Sequence, residues 1–166
     1  LESILAATRE KDLALQPNAL HCVTNLFSTV HGAEYMYRQF DMDNQMVISW
    51  SGLVDNRNVH LAYAALWYNY SVLLAVDATA AKKHDNSSYV LNAVMGFVAE
   101  GDGVSSHPEA VGQLLHAFAN LLVAGGKEWA DSVPLVGQFR KAVQDYPKKF
   151  EAAYEVRRAV QQINRL

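Results

Sequence analysis

The chain has 166 residues, of which 51% are hydrophobic and 19% are charged, which is typical of a folded globular domain and not of a disordered segment. Its formal net charge of −3 gives no bias toward nucleic acid, and its single cysteine, Cys22, excludes an internal disulfide. The longest apolar stretch, 61–76, is interrupted by polar residues, so we predict no membrane span.

Helical periodicity runs along the whole chain, and strand-like alternation is not found. Pro17 and Pro108 suit the first positions of helices, and the pair Gly125-Gly126 ends one. We predict a single domain, residues 1–166, with eight or nine helices and short loops. The predicted helices cover 2–10, 17–30, 33–40, 42–54, 59–76, 87–101, 108–125, 134–146 and 148–166, with one further turn over 128–133.

An asparagine recurs in a similar apolar frame on three predicted helices, at Asn25, Asn69 and Asn120. The spacings of 44 and 51 residues match the period of stacked helical repeats of the armadillo or HEAT kind. The helix over 59–76 is apolar around most of its circumference, so it must pack between neighbours. The sequence therefore predicts an all-α fold, an armadillo-like helical repeat solenoid.

The three asparagines are the first candidates for a peptide-binding site. An asparagine amide on a concave solenoid surface can both donate to and accept from an extended peptide backbone. Further polar residues one and two helical turns earlier continue two of these helix faces. These additional peptide-binding candidates are Asn18, His21, Gln113 and His116. In an alternative interpretation, each asparagine bonds a neighbouring element within the fold.

Catalytic and metal-binding patterns are weak in this sequence. No two of the six histidines have the i, i+4 spacing of a helical zinc site, and we predict neither a metal nor another cofactor. Cys22 stands three residues before Asn25, as Leu66 does before Asn69 and Ala117 before Asn120. Because this equivalent position is apolar on the other two helices, we predict a buried, unreactive thiol. We predict no catalytic residue and no enzyme activity. A role toward an anionic partner stays open for the basic residues near the C-terminus, which are Lys148, Lys149, Arg157, Arg158 and Arg165.

A family resemblance centres on the helix that carries Asn69. The stretch Asn56-Arg57-Asn58-Val59-His60-Leu61-Ala62, followed by Asn69-Tyr70-Ser71-Val72, resembles the signature of the PUL domain of the phospholipase A-2-activating protein family. The stretches around Asn25 and Asn120 resemble the helices before and after it. The resemblance covers most of residues 1–125 in order and spacing, and beyond 125 only the helical pattern is similar.

The resemblance implies an armadillo-like, non-enzymatic adaptor that binds the C-terminal tail of the AAA+ unfoldase valosin-containing protein. It implies a role in ubiquitin-dependent degradation and ubiquitin recycling, with ubiquitin-pathway partners held by upstream domains outside this chain. It also implies a cytoplasmic location, or a cytoplasmic and nuclear one. Since a complete PUL domain is longer, we expect residues 1–166 to lack its first repeats. The family leads us to expect an arginine one residue before Leu114-Leu115, where this chain has the uncharged Gln113.

Two other functions stay open at this stage. The chain could be an accessory PUL module of a desumoylating-peptidase-type enzyme, which a papain-like segment elsewhere in the protein would indicate. It could also be a structural helical-repeat interaction module without a peptide groove. Asparagines that are buried and hydrogen-bonded within the fold would favour this structural role.

Overall fold

A computed structural model describes residues 2–32, 35, 50–76, 107–144 and 153–166. Every regular element in these ranges is helical and none is a strand, so the predicted all-α class is confirmed there. The elements are α1 (Glu2–Ala7), α2 (Leu15–Phe27), a short 3-10 helix (Trp50–Gly52), α3 (Arg57–Val76), α4 (Pro108–Ser132), α5 (Pro134–Val143) and α6 (Tyr154–Arg165). The predicted helices over 33–40, 42–54 and 87–101 lie wholly or largely outside the described residues.

Side-chain caps fix the beginnings of α2 and α3. The Oδ1 atom of Asp12 accepts hydrogen bonds of 2.8 Å from the backbone N–H groups of Ala14 and Leu15. These bonds, that of Leu15 first, hold the pKa of the Asp12 carboxyl below its usual value. Pro17 consequently lies inside the first turns of α2 and not at its start, which corrects the predicted boundary. At α3, Asn56 Oδ1 accepts from the N–H of Asn58 at 2.9 Å and caps the helix.

The helix α4 begins at Pro108 as predicted, and its first segment ends at Gly125-Gly126, also as predicted. The backbone of Gly126 is not helical, with φ of 72° and ψ of 176°, and a second helical segment follows this kink to Ser132. Glycine adopts this left-handed φ because it has no Cβ. A Cβ on the preceding Gly125 would overlap the ring of Trp129. The predicted helix over 108–125 and the predicted turn over 128–133 are therefore two helical segments that meet at Gly126, and the name α4 covers both.

Four helices lie side by side in chain order, with α2 packed on α3, α3 on α4, and α4 on α6. Between two neighbouring helices, residues later in one helix contact residues later in the other, so each helix runs parallel to the next. The pairs that show this register are Gln16 with Val54, Thr24 with Ala62, Arg57 with Glu109, Ser71 with Asn120, Gly112 with Glu155, and His116 with Gln162. Parallel neighbours whose bonded residues are 38 to 52 positions apart are expected of equivalent helices in successive repeats.

Aromatic side chains fill the spaces between these helices. Phe27 of α2 meets Tyr70 of α3 edge to face, with ring centroids 5.0 Å apart. Phe118 of α4 meets Phe139 of α5 in the same way at 4.3 Å. Such pairs contribute about 0.5–1.5 kcal/mol each beyond the burial of their surface. These contacts hold α2 against α3 and α4 against α5.

The helix α3 is the most enclosed of the stack. It is long and apolar enough to cross a membrane by length and composition alone. However, more than half of it is buried inside the fold, and Trp67, Tyr63 and Leu74 are almost fully covered. Its apolar character is therefore accounted for by packing between α2 and α4, as predicted from the sequence.

Candidate functional site

One side of the helix layer faces solvent, and we call it the open face. On each helix its residues recur at helical spacing and are exposed or half-buried. On α4 every residue between them is buried, and on the other helices most are. Because neighbouring helices are parallel and touch through their flanks, these stripes point the same way. The open face consists of Asn18, His21 and Asn25 on α2, Asn58, Ala65, Asn69 and Val72 on α3, Gln113, His116, Asn120 and Val123 on α4, and Arg158 and Gln162 on α6.

The three asparagines all lie on the open face, but their surroundings differ. Asn25 is exposed, whereas Asn69 and Asn120 are half-buried. The Nδ2 atom of Asn120 donates to Ser71 Oγ on α3 at 3.1 Å. This bond ties α4 to α3, and the carbonyl oxygen and second N–H of the amide stay available. Within the described ranges, the side chains of Asn25 and Asn69 make no hydrogen bond.

The two polar candidates beside Asn120 lie along the same side of α4. His116 is half-buried, and its Nδ1 lies 3.0 Å from Gln162 Oε1 on α6. Because an amide oxygen can only accept, Nδ1 carries the hydrogen and Nε2 of the neutral ring is an acceptor in this assignment. Gln113, one turn earlier, is also half-buried. Gln162 is a site residue that the sequence did not reveal, because its partner lies 46 positions away.

The two polar candidates on α2 are more exposed than those on α4. Asn18 donates from Nδ2 to the Ala14 carbonyl at 2.8 Å, so part of its hydrogen-bonding capacity is used within its own helix. His21 is exposed on the next turn. The structure therefore brings both onto the open face, at the end of the described layer.

The prediction for Cys22 was wrong, because the thiol is exposed and not buried. At the matching frame positions, Leu66 and Ala117 are buried against the preceding helix of the stack. The helix that precedes α2 is α1, which has only six residues and does not cover Cys22. Cys22 thus occupies the position equivalent to Leu66 and Ala117, but the described part of the fold has no preceding helix that would bury its thiol.

A histidine pair that the sequence analysis missed lies at the N-terminal ends of α3 and α4. His60 is only 4% exposed, and its ring stacks on that of His107 at 3.9 Å and 18°. Trp50 meets His60 edge to face at 4.5 Å, and His107 Nε2 lies 2.8 Å from Asp55 Oδ1. Burial lowers the pKa of His60 below its usual value, and its hydrogen bond to the Asn56 carbonyl opposes this effect. The cluster joins two helix ends in the fold.

A small cavity of about 230 Å³ opens beside this pair. It is lined by Arg57, Leu61, His107, Pro108, Glu109 and Ala110. Arg57 and Glu109 form an ion pair at its rim, and their side chains are 64% and 50% exposed. An ion pair that exposed contributes little to stability. Ligand pockets usually reach about 300–1,000 Å³, so the cavity is small for a cofactor. Among the described residues, no group of three metal-ligating side chains converges anywhere.

Comparison with known proteins adds one finding to this geometry. The family model of the PUL domain matches residues 2–161. No curated protein and no solved structure gives a significant match to the chain. The family match confirms the resemblance that was inferred around Asn69. It also extends the resemblance beyond residue 125, so that α5 and most of α6 belong to the matched region.

Proposed function

The chain belongs to the PUL-domain family of protein-interaction modules, and from this premise we propose that it is a non-enzymatic adaptor that binds an extended peptide on its open face. The domain is an armadillo-like solenoid in this proposal. Its ligand is the C-terminal tail of the AAA+ unfoldase valosin-containing protein, in ubiquitin-dependent degradation. Ubiquitin-pathway partners and a cytoplasmic or nuclear location belong to the same proposal.

The observation that supports the proposal most is the presence of the three asparagines on one side of three parallel, adjacent helices. Packed helix axes lie about 8–10 Å apart. An extended peptide advances about 3.3 Å per residue. A peptide that crosses the layer at right angles therefore passes from one helix to the next every three residues or so. Asn69 and Asn120 lie close to one such line and would each meet its backbone. Asn25 lies about six residues, or roughly 9 Å, nearer the N-terminal ends of the helices, so a peptide must cross obliquely to meet all three.

The remaining candidates have supporting roles. His21 and Asn18 extend the face on α2, and Gln113 and His116 extend it on α4. Backbone hydrogen bonds from the asparagines would supply affinity without reading the peptide sequence, and the residues around them would select its side chains. Half-burial of Asn69 and Asn120 strengthens such bonds, because the surrounding dielectric is lower than that of water.

Asn69 gives the sharpest test, because Asn120 already bonds Ser71 within the fold. We expect Asn69→Ala to weaken binding of the unfoldase tail peptide about tenfold, which corresponds to roughly 1.4 kcal/mol. The melting temperature should hardly change, because the amide of Asn69 has no hydrogen bond in the described part of the fold. Titration by fluorescence anisotropy and thermal denaturation measure the two quantities.

Asn164→Ala is the matched control, since Asn164 is exposed on α6 but lies two residues from Gln162 and faces away from the open face. It should alter neither affinity nor stability. If Asn69→Ala instead lowers the melting temperature and leaves the affinity unchanged, Asn69 has a structural role. The domain would then be an interaction module without this peptide groove.

A further inference from the structure

The described open face lacks a free positive charge along α2, α3 and the straight part of α4. On these described helix segments the lysine or arginine is Arg57, which precedes Asn58 of the open face and pairs with Glu109. Lys127 follows the kink at Gly126 and lies past the end of the straight segment. Position 113 has a glutamine, which can hydrogen-bond but cannot supply charge. The C-terminal tail in the proposed function ends in a carboxylate, so a cation that binds this group has to come from another helix.

The helix α6 is placed to supply that charge. His116 of α4 contacts Gln162 of α6, with Nδ1 and Oε1 3.0 Å apart. The two helices are parallel, so moving back one turn on each keeps the residues opposite each other. One turn before His116 is Gln113, and one turn before Gln162 is Arg158. Arg158 therefore lies across the α4–α6 contact from the uncharged position.

Burial and partners agree with this placement. Arg158 is exposed, whereas Val156 and Ala159 beside it are buried in the contact with the rest of the fold. No ion pair of Arg158 occurs among the residues that the structure describes. Its neighbour Arg157 is exposed too, but successive helix positions differ by about 100° in direction. Arg157 is five residues before Gln162 and points away from His116.

We propose that Arg158 is the charge-selecting residue of the peptide site and that it supplies from α6 the positive charge that the neighbouring Gln113 on α4 cannot supply. Its planar guanidinium can accept a carboxylate in a bidentate pair while Gln113 and His116 offer neutral hydrogen bonds beside it. The recognised group is a carboxylate of the peptide, either an Asp or Glu side chain or the terminal carboxylate. The inference rests on the proposed function.

The test compares two variants that remove the same charge from neighbouring positions. The full chain is titrated with a dye-labelled synthetic peptide of the unfoldase tail at low and at high salt. We expect Arg158→Ala to weaken binding about tenfold at low salt, because a charge-assisted hydrogen bond is lost. The difference should shrink at high salt as screening increases. Arg157→Ala lowers the net charge equally and should change the affinity by less than about twofold.

Two further arms identify the geometry and the carboxylate. Gln113→Arg in the Arg158→Ala background should restore most of the affinity, since it returns the charge from the opposite helix. A tail peptide with an amidated C-terminus lacks the terminal carboxylate and keeps those of the side chains. A tail peptide with Asp and Glu replaced by Asn and Gln lacks the side-chain carboxylates and keeps the terminal one. Without Arg158, loss of the carboxylate that it binds should no longer weaken binding. The altered peptide that binds Arg158→Ala as tightly as the native tail does is therefore the one that lacks this carboxylate.

Equal effects of Arg158→Ala and Arg157→Ala would overturn the inference, because the charge would then act only through the overall field. In that case the proposed function stands as long as the unaltered chain binds the tail and Asn69→Ala weakens binding. If the unaltered chain does not bind the tail at all, the proposed function and this inference both fail.

Discussion

The contact between α4 and α6 depends on Gly112, which is buried on α4 where the two helices come closest. A Cβ at this position would lie 2.7 Å from the Cβ of Glu155, 3.0 Å from its carbonyl carbon and 3.2 Å from the backbone nitrogen of Val156. Two of these three atoms belong to the backbone, which cannot rotate away as a side chain can. In Gly112→Ala the helix α6 must therefore shift as a unit.

The size of the effect follows from two opposing contributions. Overpacking of a tight contact typically costs about 1–3 kcal/mol. Alanine in place of glycine within a helix contributes about 0.5–1 kcal/mol of stability. We therefore expect Gly112→Ala to lower the free energy of unfolding by up to about 2.5 kcal/mol. For a chain of this size, each kcal/mol changes the melting temperature by about 2–4 °C.

Gly137→Ala is the matched control for this experiment. Gly137 lies inside α5, is exposed, and has no atom within 4 Å of a Cβ built on it. Only the helix-propensity contribution applies there, so stability should rise by about 0.5–1 kcal/mol. Urea and thermal denaturation followed by far-UV circular dichroism give both values. If Gly112→Ala is as stabilising as Gly137→Ala, the close approach of α4 and α6 is refuted.

Two more predictions concern buried polar side chains. The pKa of His60 is lowered in the fold, so the unfolded chain binds a proton more readily, and stability should fall as pH drops below about 6.5, by at most about 1.4 kcal/mol per pH unit. Urea denaturation at several pH values should show a shallower slope for His60→Asn, and equal slopes would contradict the assignment. Gln16 is fully buried and hydrogen-bonds to backbone groups of Thr8, Gly52 and Val54. Gln16→Leu should therefore lower the free energy of unfolding by about 2–4 kcal/mol in the same assay. A loss below about 1 kcal/mol would refute that role.

Local sequence signals predicted the described helices and their order, although the helix predicted over 148–166 was wrong at Ala153, whose backbone is extended. Apolar periodicity predicted α3 over nearly its observed length, and Pro108 and Pro134 mark the observed beginnings of α4 and α5. These signals act within a few residues, where backbone geometry and capping decide the structure. The three asparagines lie on neighbouring helices of the described layer, and their role as a peptide site stays a prediction.

Contacts between distant residues could not be predicted in this way. Asn120 bonds Ser71, and His60 stacks on His107, because parallel helices align at a particular register that no local pattern specifies. Whether Cys22 is buried could not be predicted from local sequence for the same reason. Its frame position indicated burial, but burial requires a preceding helix long enough to cover it, and α1 is too short.

The parallel order of α2, α3, α4 and α6 has an electrostatic consequence. The dipole of each helix is equivalent to about half a positive charge at its N-terminal end, and parallel stacking sets four such like poles along one edge. Antiparallel helices would instead place opposite poles together. Each of these ends carries one carboxylate at or near its first turn, and these are Asp12, Asp55, Glu109 and Glu155. The sequence thus offsets, one acid per helix, the repulsion that stacking in a single direction would otherwise create.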